Sequence, residues 1–576
     1  MKRYFNNLKR RWNIKTSLGI IEDTKLDHVP GTTYVLDSAT SIETAVPENT
    51  RLKYDRSGPV PIILVPQPSD DPNDPLNWPL WRRDSILFIL SIVSVICCTL
   101  SSIMASNTVT VSIGFSRDFT AIALLTGYHL CGVGVAGLIC VPTARIWGKR
   151  HLFLAGNLIV VASCIAAGQF KHSYTGLLWA RIFQGIGLAP FEALVNPAVG
   201  DLFFVHERGK RMALSNVALF GGAFLAPVIA GKMTHDLGWE WTFNFVAIFA
   251  GACFPFVFFF VPETAYRRAD HLNTDFQGDA TRSRERSNGT ASSGSETEKP
   301  NTNESVEPLD PNTDHHHTSP IPPKATFIQS LALFNGRKTD ENFLKLFFRP
   351  LPLFFHPGIL WAVLIQGAII GWTVFIGVVL AALFLGPPLW FSEVETGYLY
   401  TGAFIGSVIG LILSGLFSDW SANLMIKWNK GRYEPEFRIL LVIPQLVFCA
   451  IGLYGFGFMV GDVRRWGWVL PDMFLMFTLV GMVMGAVASA LYIVDAHRQI
   501  AIEAFTCLLV FKNMFSFLLT WYAYDWLLKS GPKQVFIIIA SVEVGICLLS
   551  IPMYIFGKMN RSFFHRHDIL KILHLW

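Results

Sequence analysis

Charge is scarce in this sequence. Asp, Glu, Lys and Arg make up 15% of its 576 residues while apolar residues make up 52%. One soluble core cannot use that much apolar surface, so the surplus is expected to face lipid. Disulfide and zinc patterns are missing: Cys97, Cys98, Cys131, Cys140, Cys164, Cys253, Cys449, Cys507 and Cys547 all fall inside or beside apolar runs and read as free thiols. No nucleophile elbow, P-loop, metal motif or dinucleotide fingerprint occurs, so an enzyme is the least expected class, and neither cofactor nor metal is expected. The basic start, MKRYFNNLKRRWNIK, has no apolar stretch of the signal-peptide kind, and the first apolar run is expected to direct insertion. The net charge of +5 is dispersed between apolar runs rather than gathered in a stripe, which argues against nucleic acid.

What is present is a succession of apolar runs, each near the roughly 20 residues that a helix needs to cross a bilayer. Six lie near Ser85 to Ser106, Ala121 to Pro142, His151 to Gly168, Leu177 to Leu202, Ala213 to Ile229 and Trp241 to Val261. Six more lie near Gly358 to Leu385, Gly397 to Leu416, Ile439 to Phe458, Val469 to Val494, Phe505 to Leu528 and Val535 to Phe556. The fold class read from this is an all-α membrane protein of twelve transmembrane helices in two pseudo-symmetric six-helix halves. Residues 84–261 form the N-terminal half and 357–557 the C-terminal half, with an N-terminal segment 1–83, a linker 262–356 and a tail 558–576. The middle of the linker, Thr274 to Pro323, is Ser, Thr, Asn, Glu and Pro with hardly an aromatic residue. It cannot bury a core and is expected to be disordered, whereas Phe327 to Phe348 regains apolar residues and suggests a short interfacial helix.

Lysine and arginine placement predicts orientation. Lys149 and Arg150 follow the second run, Arg208, Lys210 and Arg211 follow the fourth, and the linker holds more. Both termini and the linker are therefore expected on the cytosolic side of a multi-pass protein, where Asn288 and Asn303 escape glycosylation. The halves echo each other. Gly187 precedes Asp201 by the spacing that separates Gly481 from Asp495, each aspartate has a following His and Arg, and Gly148, Lys149 and Arg150 close one loop while Gly415 and Asp419 open its counterpart. Paired halves around a midplane site are the usual build of secondary transporters.

An ionisable group inside a span is costly unless it meets a partner or a wet cavity, so each is a functional candidate. Arg181 and Glu192 in the fourth run are eleven residues apart, which places them within about 20° on one helical face and about 16 Å apart along it. Gln184 and Asn196 flank that face. One reading puts Arg181 near the external mouth as an electrostatic or proton-coupling element and Glu192 near the midplane as a carboxylate for a proton or a cation. The other reads each as a structural charge neutralised by a neighbouring helix. Asp495, Glu503 and Lys512 lie in or near the apolar stretches of spans ten and eleven. Asp495 with His497 and Arg498 marks the cytosolic end of span ten, and these, like Gly148, Lys149, Arg150, Asp201 and Asp419, are expected to serve as gate contacts. His129 and Tyr128 suit a cavity wall or an inert hydrogen-bonded core, and His315 to His317 lie in low-complexity sequence. Gly222, Ala226, Pro227, Ala230 and Gly231 give the fifth span small residues and a kink, hence a hinge or a close helix interface.

These residues resemble a known family. Arg181-Ile-Phe-Gln-Gly-Ile-Gly187 is similar to the fourth-span motif RxxQGxG of the major facilitator superfamily, and Gly222 through Pro227 to Gly231 to its fifth-span antiporter motif, with Ala226 and Ala230 where glycines are usual. Pro142 to Arg150 resembles the loop motif GxLxDRxGRR, with Arg145 in place of its acidic residue and Ile146 in place of its first arginine, while Asp419 keeps the acidic residue in the second half. The strings DPNDPLNWP (from Asp71), APFEALV (from Ala189), DLFFVHERGKR (from Asp201), YEPEFR (from Tyr433) and YIVDAHR (from Tyr492) are similar to the fungal drug:proton antiporter branch that includes histidinol and polyamine transporters. The resemblance runs from about residue 60 to the end. It implies proton coupling and the plasma membrane of a filamentous fungus.

The leading expectation is proton-coupled export of a drug-like molecule or secondary metabolite, since an aromatic content of 14% suits flat apolar substrates. Uptake of an organic cation such as a polyamine is the alternative, and a non-transporting nutrient sensor is disfavoured by the short stretch after Phe556. The expected partners are a small-molecule substrate, protons and the bilayer, with the chain acting as a monomer.

Overall fold

The structure is a computed structural model that describes residues 16–22, 26, 29, 31–34, 53–55, 62–64, 66–268, 323–384, 389–429 and 432–575. Asn288, Asn303, His315 to His317 and all of the low-complexity stretch except Pro323 lie outside the described residues. Six long helices come first: α1 (Leu80–Thr99), α2 (Phe119–Trp147), α3 (Arg150–Gln169), α4 (Tyr174–Leu202), α5 (Val205–Leu237) and α6 (Trp239–Phe260). After the linker come α7 (Pro357–Phe384), α8 (Thr401–Trp428), α9 (Val442–Val460), α10 (Val469–Ala496) and α11 (Ala501–Ser530). The last crossing is made of α12 (Pro532–Leu548) and α13 (Ser550–Arg566), joined at Leu549 in helical conformation.

Among the described residues, nine helical segments are long and apolar enough to cross a membrane by length and composition. The other three long helices, α1, α4 and α5, carry polar or charged residues such as Arg83, Asp84, Arg181 and Glu192 within their spans. Helix direction alternates, so α1 begins and α13 finishes at one end of the bundle, here the terminal end; the opposite end is the far end.

The N-terminal half has one continuous core, with Phe153, Phe191, Phe203 and Phe243 at its centre. The C-terminal half has a cluster around Phe375, Phe456 and Phe536 and a second around Trp361, Tyr492 and Cys507. Lipid is as apolar as these side chains, so contact packing and close backbone approach hold the helices together rather than escape from water. A Cβ on Gly185 would lie 2.0 Å from the His129 carbonyl oxygen, and one on Gly127 would lie 2.2 Å from Thr520 Oγ1. The first contact joins α4 to α2, the second α2 to α11 of the other half. Gly185→Val is expected to cut the yield of monodisperse protein several-fold in size-exclusion chromatography, because backbone cannot yield as a side chain can. An unchanged profile would show that α2 and α4 separate at little cost.

Helix α8 departs from the expected boundary. Gly415 and Asp419 do not open a loop; they sit inside a helix that continues to Trp428. Counting apolar residues ended the span near Leu416, but the following serines do not break a helix when their hydroxyls bond to preceding carbonyls, as Ser421 does to Ser418.

The N-terminal segment packs on the C-terminal half. Thr33–Tyr34 pairs antiparallel with Arg432–Tyr433, Ile20 is buried with Met425 and Phe437, and the Thr32 hydroxyl donates to Glu434 Oε2 at 2.7 Å. Lys558 Nζ meets Glu22 at 2.7 Å and Glu434 at 2.9 Å, and Arg561 Nη2 meets Glu434 at 3.0 Å and Glu436 at 2.8 Å. Burial alone lifts the Glu434 carboxyl, but Arg561 and Lys558 beside it outweigh burial and hold it below the usual carboxylate range.

Candidate functional site

The sequence placed Arg181 and Glu192 on one face of α4, and the structure divides them. Arg181 turns into its own half: its guanidinium donates to Gln184 Oε1 at 2.8 Å and to the Leu125 carbonyl at 3.3 Å, and lies 5.9 Å from the Phe243 ring centroid. Gln184 in turn reaches the Ser163 carbonyl at 3.5 Å. Both are fully buried, so Arg181 occupies the core of the N-terminal half rather than an open mouth. His129 sits beside it, with Nδ1 3.3 Å from the Arg181 carbonyl. Long side chains bend to the partners available, and Pro190, which has no N–H for the Ile186 carbonyl, lies between the two charges on α4.

Glu192 faces the other half and forms an ion pair with Lys512 of α11. Both side chains keep some exposure, 14% and 17%, unlike Arg181. The surroundings are aromatic and apolar. Phe511, next to Lys512, stacks on Phe515 at 5.6 Å, and Tyr128 of α2 lies 5.4 Å from Phe517 of α11. Asn196 does not join this pair. It accepts from Ser215 at 2.6 Å and donates to Asn216 at 3.3 Å, so it ties α4 to α5.

The expected gate residues fall into separate groups at the terminal end. Gly148 has φ +96°, which favours glycine, and a Cβ there would collide with Glu263 at 2.2 Å. Glu263 accepts from the backbone N–H groups of Lys149 and Arg150 at 2.9 and 3.0 Å. The Lys149 ammonium pairs with Asp201 at 2.5 Å, and the Arg150 guanidinium donates to the Val261 and Phe258 carbonyls at 2.5 and 2.6 Å. The C-terminal half repeats the scheme with Asp495, which accepts from Arg438 Nε at 3.2 Å and from the Tyr433 hydroxyl, while Arg438 also reaches Ser418 Oγ at 2.7 Å. Asp419 and Arg498 are both exposed and join neither group.

Arg145 has its own partners. It meets Glu503 of α11 at 2.6 Å and Glu341 of the linker at 3.0 Å, and Arg349 meets Glu341 at 2.8 Å. A charge opposite in sign to the one usual in this loop therefore links the N-terminal half, the linker and the C-terminal half. From the middle of α5 toward the far end, the expected hinge residues touch neighbours through backbone: a Cβ on Gly222 would lie 2.6 Å from the Val95 carbonyl, one on Gly231 2.5 Å from the Glu393 carbonyl, and one on Gly397 2.7 Å from the Pro227 carbonyl.

Sequence reasoning noticed Lys512 and Glu503 without their partners, because pairing between α4 and α11 or α2 and α11 is a tertiary fact. It passed over Glu543 and Gln445, buried together in α12 and α9. A lone glutamate in IIIASVEVGICLL met the same criterion that singled out Glu192. No described group of three or more His, Cys, Asp and Glu side chains is arranged to hold a metal ion.

Comparison with known proteins agrees with this architecture. The sequence profile of the Major Facilitator Superfamily matches residues 87–508. Protein HOL1 of Saccharomyces cerevisiae is 24% identical over 570 residues, covering 93% of this chain and 95% of that protein. The MFS-type transporter penM of Penicillium rubens is 23% identical, covering 86% and 88%, and the multidrug transporter TPO1_2 of Candida glabrata is 24% identical, covering 80% and 70%. Among solved structures, a D-xylose-proton symporter superposes with a TM-score of 0.55 at 14% identity over 81% of this chain and 97% of its own, which is a likeness of fold.

Proposed function

This chain belongs to the Major Facilitator Superfamily and is a multi-pass membrane transporter, and from that premise we propose that it is a proton-coupled exporter of a drug-like small molecule or fungal secondary metabolite. The observation that carries the reading is the Glu192–Lys512 pair, a carboxylate and an ammonium held between the two halves inside the bundle. A proton on Glu192 removes the attraction, leaves Lys512 without its counter-charge and loosens α4 from α11, so proton binding and relative movement of the halves become one event. The aromatic side chains beside the pair suit a flat apolar solute. At the terminal end the Lys149–Asp201, Arg438–Asp495 and Arg145–Glu503 pairs act as gate contacts, and Gly222, Pro227 and Gly231 serve as the hinge of α5. Arg181 and Gln184 hold the α2–α3–α4 core on which Glu192 is mounted, with Asn196 fixing α5 to it. A drug-like solute fits the name of the multidrug transporter among its relatives. The location proposed is the plasma membrane, with both termini cytosolic and the chain working as a monomer.

A second reading uses the same carboxylate. In uptake of an organic cation such as a polyamine, a substrate ammonium replaces that of Lys512 at Glu192. Oriented vesicles distinguish the two. In inverted vesicles with an imposed pH gradient, labelled candidate solutes are expected to accumulate for an exporter, and a proton uncoupler is expected to abolish the accumulation. Undiminished concentrative transport after the proton and ion gradients have been dissipated would sink the secondary-transport reading.

A further inference from the structure

The C-terminal half contains a buried carboxyl group in a setting unlike that of Glu192. Glu543 of α12 is 1% exposed and Gln445 of α9 is fully buried. The Gln445 amide donates to Glu543 Oε1 at 3.2 Å and to the Ile365 carbonyl at 3.1 Å, which uses both of its hydrogens. The Cys547 thiol approaches the same Oε1 at 3.8 Å. Three polar atoms of this cluster have no hydrogen-bond partner: Glu543 Oε2, Gln445 Oε1 and the indole Nε1 of Trp372. The Trp372 N–H faces the carboxyl without reaching bonding distance.

Among the described residues no lysine, arginine or histidine forms an ion pair with Glu543; the other titratable groups facing it are the thiols of Cys449 on α9 and Cys547 on α12. An ionised Glu543 is a bare charge inside the bundle, a state that costs several kcal/mol. The neutral acid needs no counter-ion, and it adds an O–H donor to a cluster in which Gln445 Oε1 is an open acceptor. Gly485 is what admits this amide, since a Cβ there would lie 2.4 Å from Gln445 Oε1.

We infer that Glu543, Gln445 and Trp372 form a second proton-binding site, separate from Glu192 and contained within the C-terminal half. The ligand is a proton delivered by hydronium: an O–H bond forms at Glu543 Oε2, a water molecule is released, the site loses one negative charge, and nothing is oxidised or reduced. The site is not isolated from the inter-half pair. Trp372 packs edge-on against Phe515 at 5.1 Å, and Phe515 stacks on Phe511, the neighbour of Lys512. Use of this proton in a transport cycle rests on the proposed function; the site's capacity to bind it does not.

The test reads charge state without transport. Protein in lipid nanodiscs is examined by infrared difference spectroscopy between about pH 5 and about pH 9, as wild type, Glu543→Gln, Trp372→Phe and Glu192→Gln. A protonated-carboxyl C=O band is expected in the wild type at neutral pH and is expected to fade toward the alkaline limit. It is expected to vanish in Glu543→Gln and to persist in Glu192→Gln. Trp372→Phe keeps the ring and removes the N–H facing the carboxylate, so the band should survive to higher pH; this variant carries the test if Glu543→Gln fails to fold. A spectrum unchanged by Glu543→Gln means the residue is already ionised and overturns the proposal. A Glu543 band of constant strength across the whole range overturns it too, because a permanently neutral acid binds and releases nothing. Failure of vesicle transport with a titrating band would count against the function and leave the site standing.

Discussion

Glu192→Gln is expected to reach the membrane in normal amount and to lose gradient-driven transport by about 100-fold, the scale set by removing one partner of a desolvated pair. Glutamine keeps the shape and hydrogen-bonding capacity of the side chain and removes its titration. Lys512 is left facing an amide, so a protonation event at this position no longer changes the force between α4 and α11. Lys512→Met is expected to be at least as damaging, because it strands the carboxylate rather than the ammonium. The double variant should express better than Lys512→Met alone, since neither charge then lacks its counterpart, and the coupling measured by such a cycle separates pairing from mere presence. Asp495→Asn, at a terminal end where water is close, should do less. Wild-type rates with unchanged pH dependence in Glu192→Gln would make the residue a structural partner and move the search to other helices.

The second large effect concerns stability. Glu434 and Glu436 are both fully buried against Arg561. Arg561→Ala removes the guanidinium paired with Glu436 and leaves Glu434 to Lys558 and Arg432, and breaking a buried pair in this way costs about 3 to 5 kcal/mol. A clear fall in melting temperature in detergent is the measurement, and Glu436→Gln in the Arg561→Ala background should restore part of it. The pH dependence has a definite sign. Glu434 has a folded-state value held below its ordinary 4.5, so its contribution is present above that pH and is lost as the pH falls through the lower folded value. The gap between wild type and Arg561→Ala should therefore be widest near neutrality and narrow in acid. A gap that widens in acid would mean that these glutamates are not ionised in the folded protein.

The helical architecture was legible because a bilayer imposes one simple requirement, an apolar run long enough to cross it. The same rule misjudged α8, whose last three turns are too polar to look like membrane and helical all the same. It also gave no sign that α13 continues to Arg566, since Lys558 and Arg561 read as tail residues until Glu22, Glu434 and Glu436 are brought to them. For the site, the sequence marked Glu192 by its cost and could not supply Lys512, which lies 320 residues further along the chain. Arg145 shows the reverse case: its departure from the usual loop pattern was visible in the letters, and only the fold showed Glu503 and Glu341 answering it. Glu543 was readable by the rule applied to Glu192.

The docking of the N-terminal segment has a consequence for the order in which the protein is made. Tyr554 bonds to the Leu18 carbonyl and Lys558 to Glu22, in each case across 536 residues of chain. This segment therefore leaves the ribosome well before the helix that binds it. At about 5 to 20 residues per second the wait is roughly half a minute to two minutes, during which ten or more helices enter the bilayer. Closure of these contacts reports that α13 has taken its position, so a chain stopped short of Tyr554 lacks both bonds and holds its N-terminal segment only through the earlier partners between Met425 and Phe437.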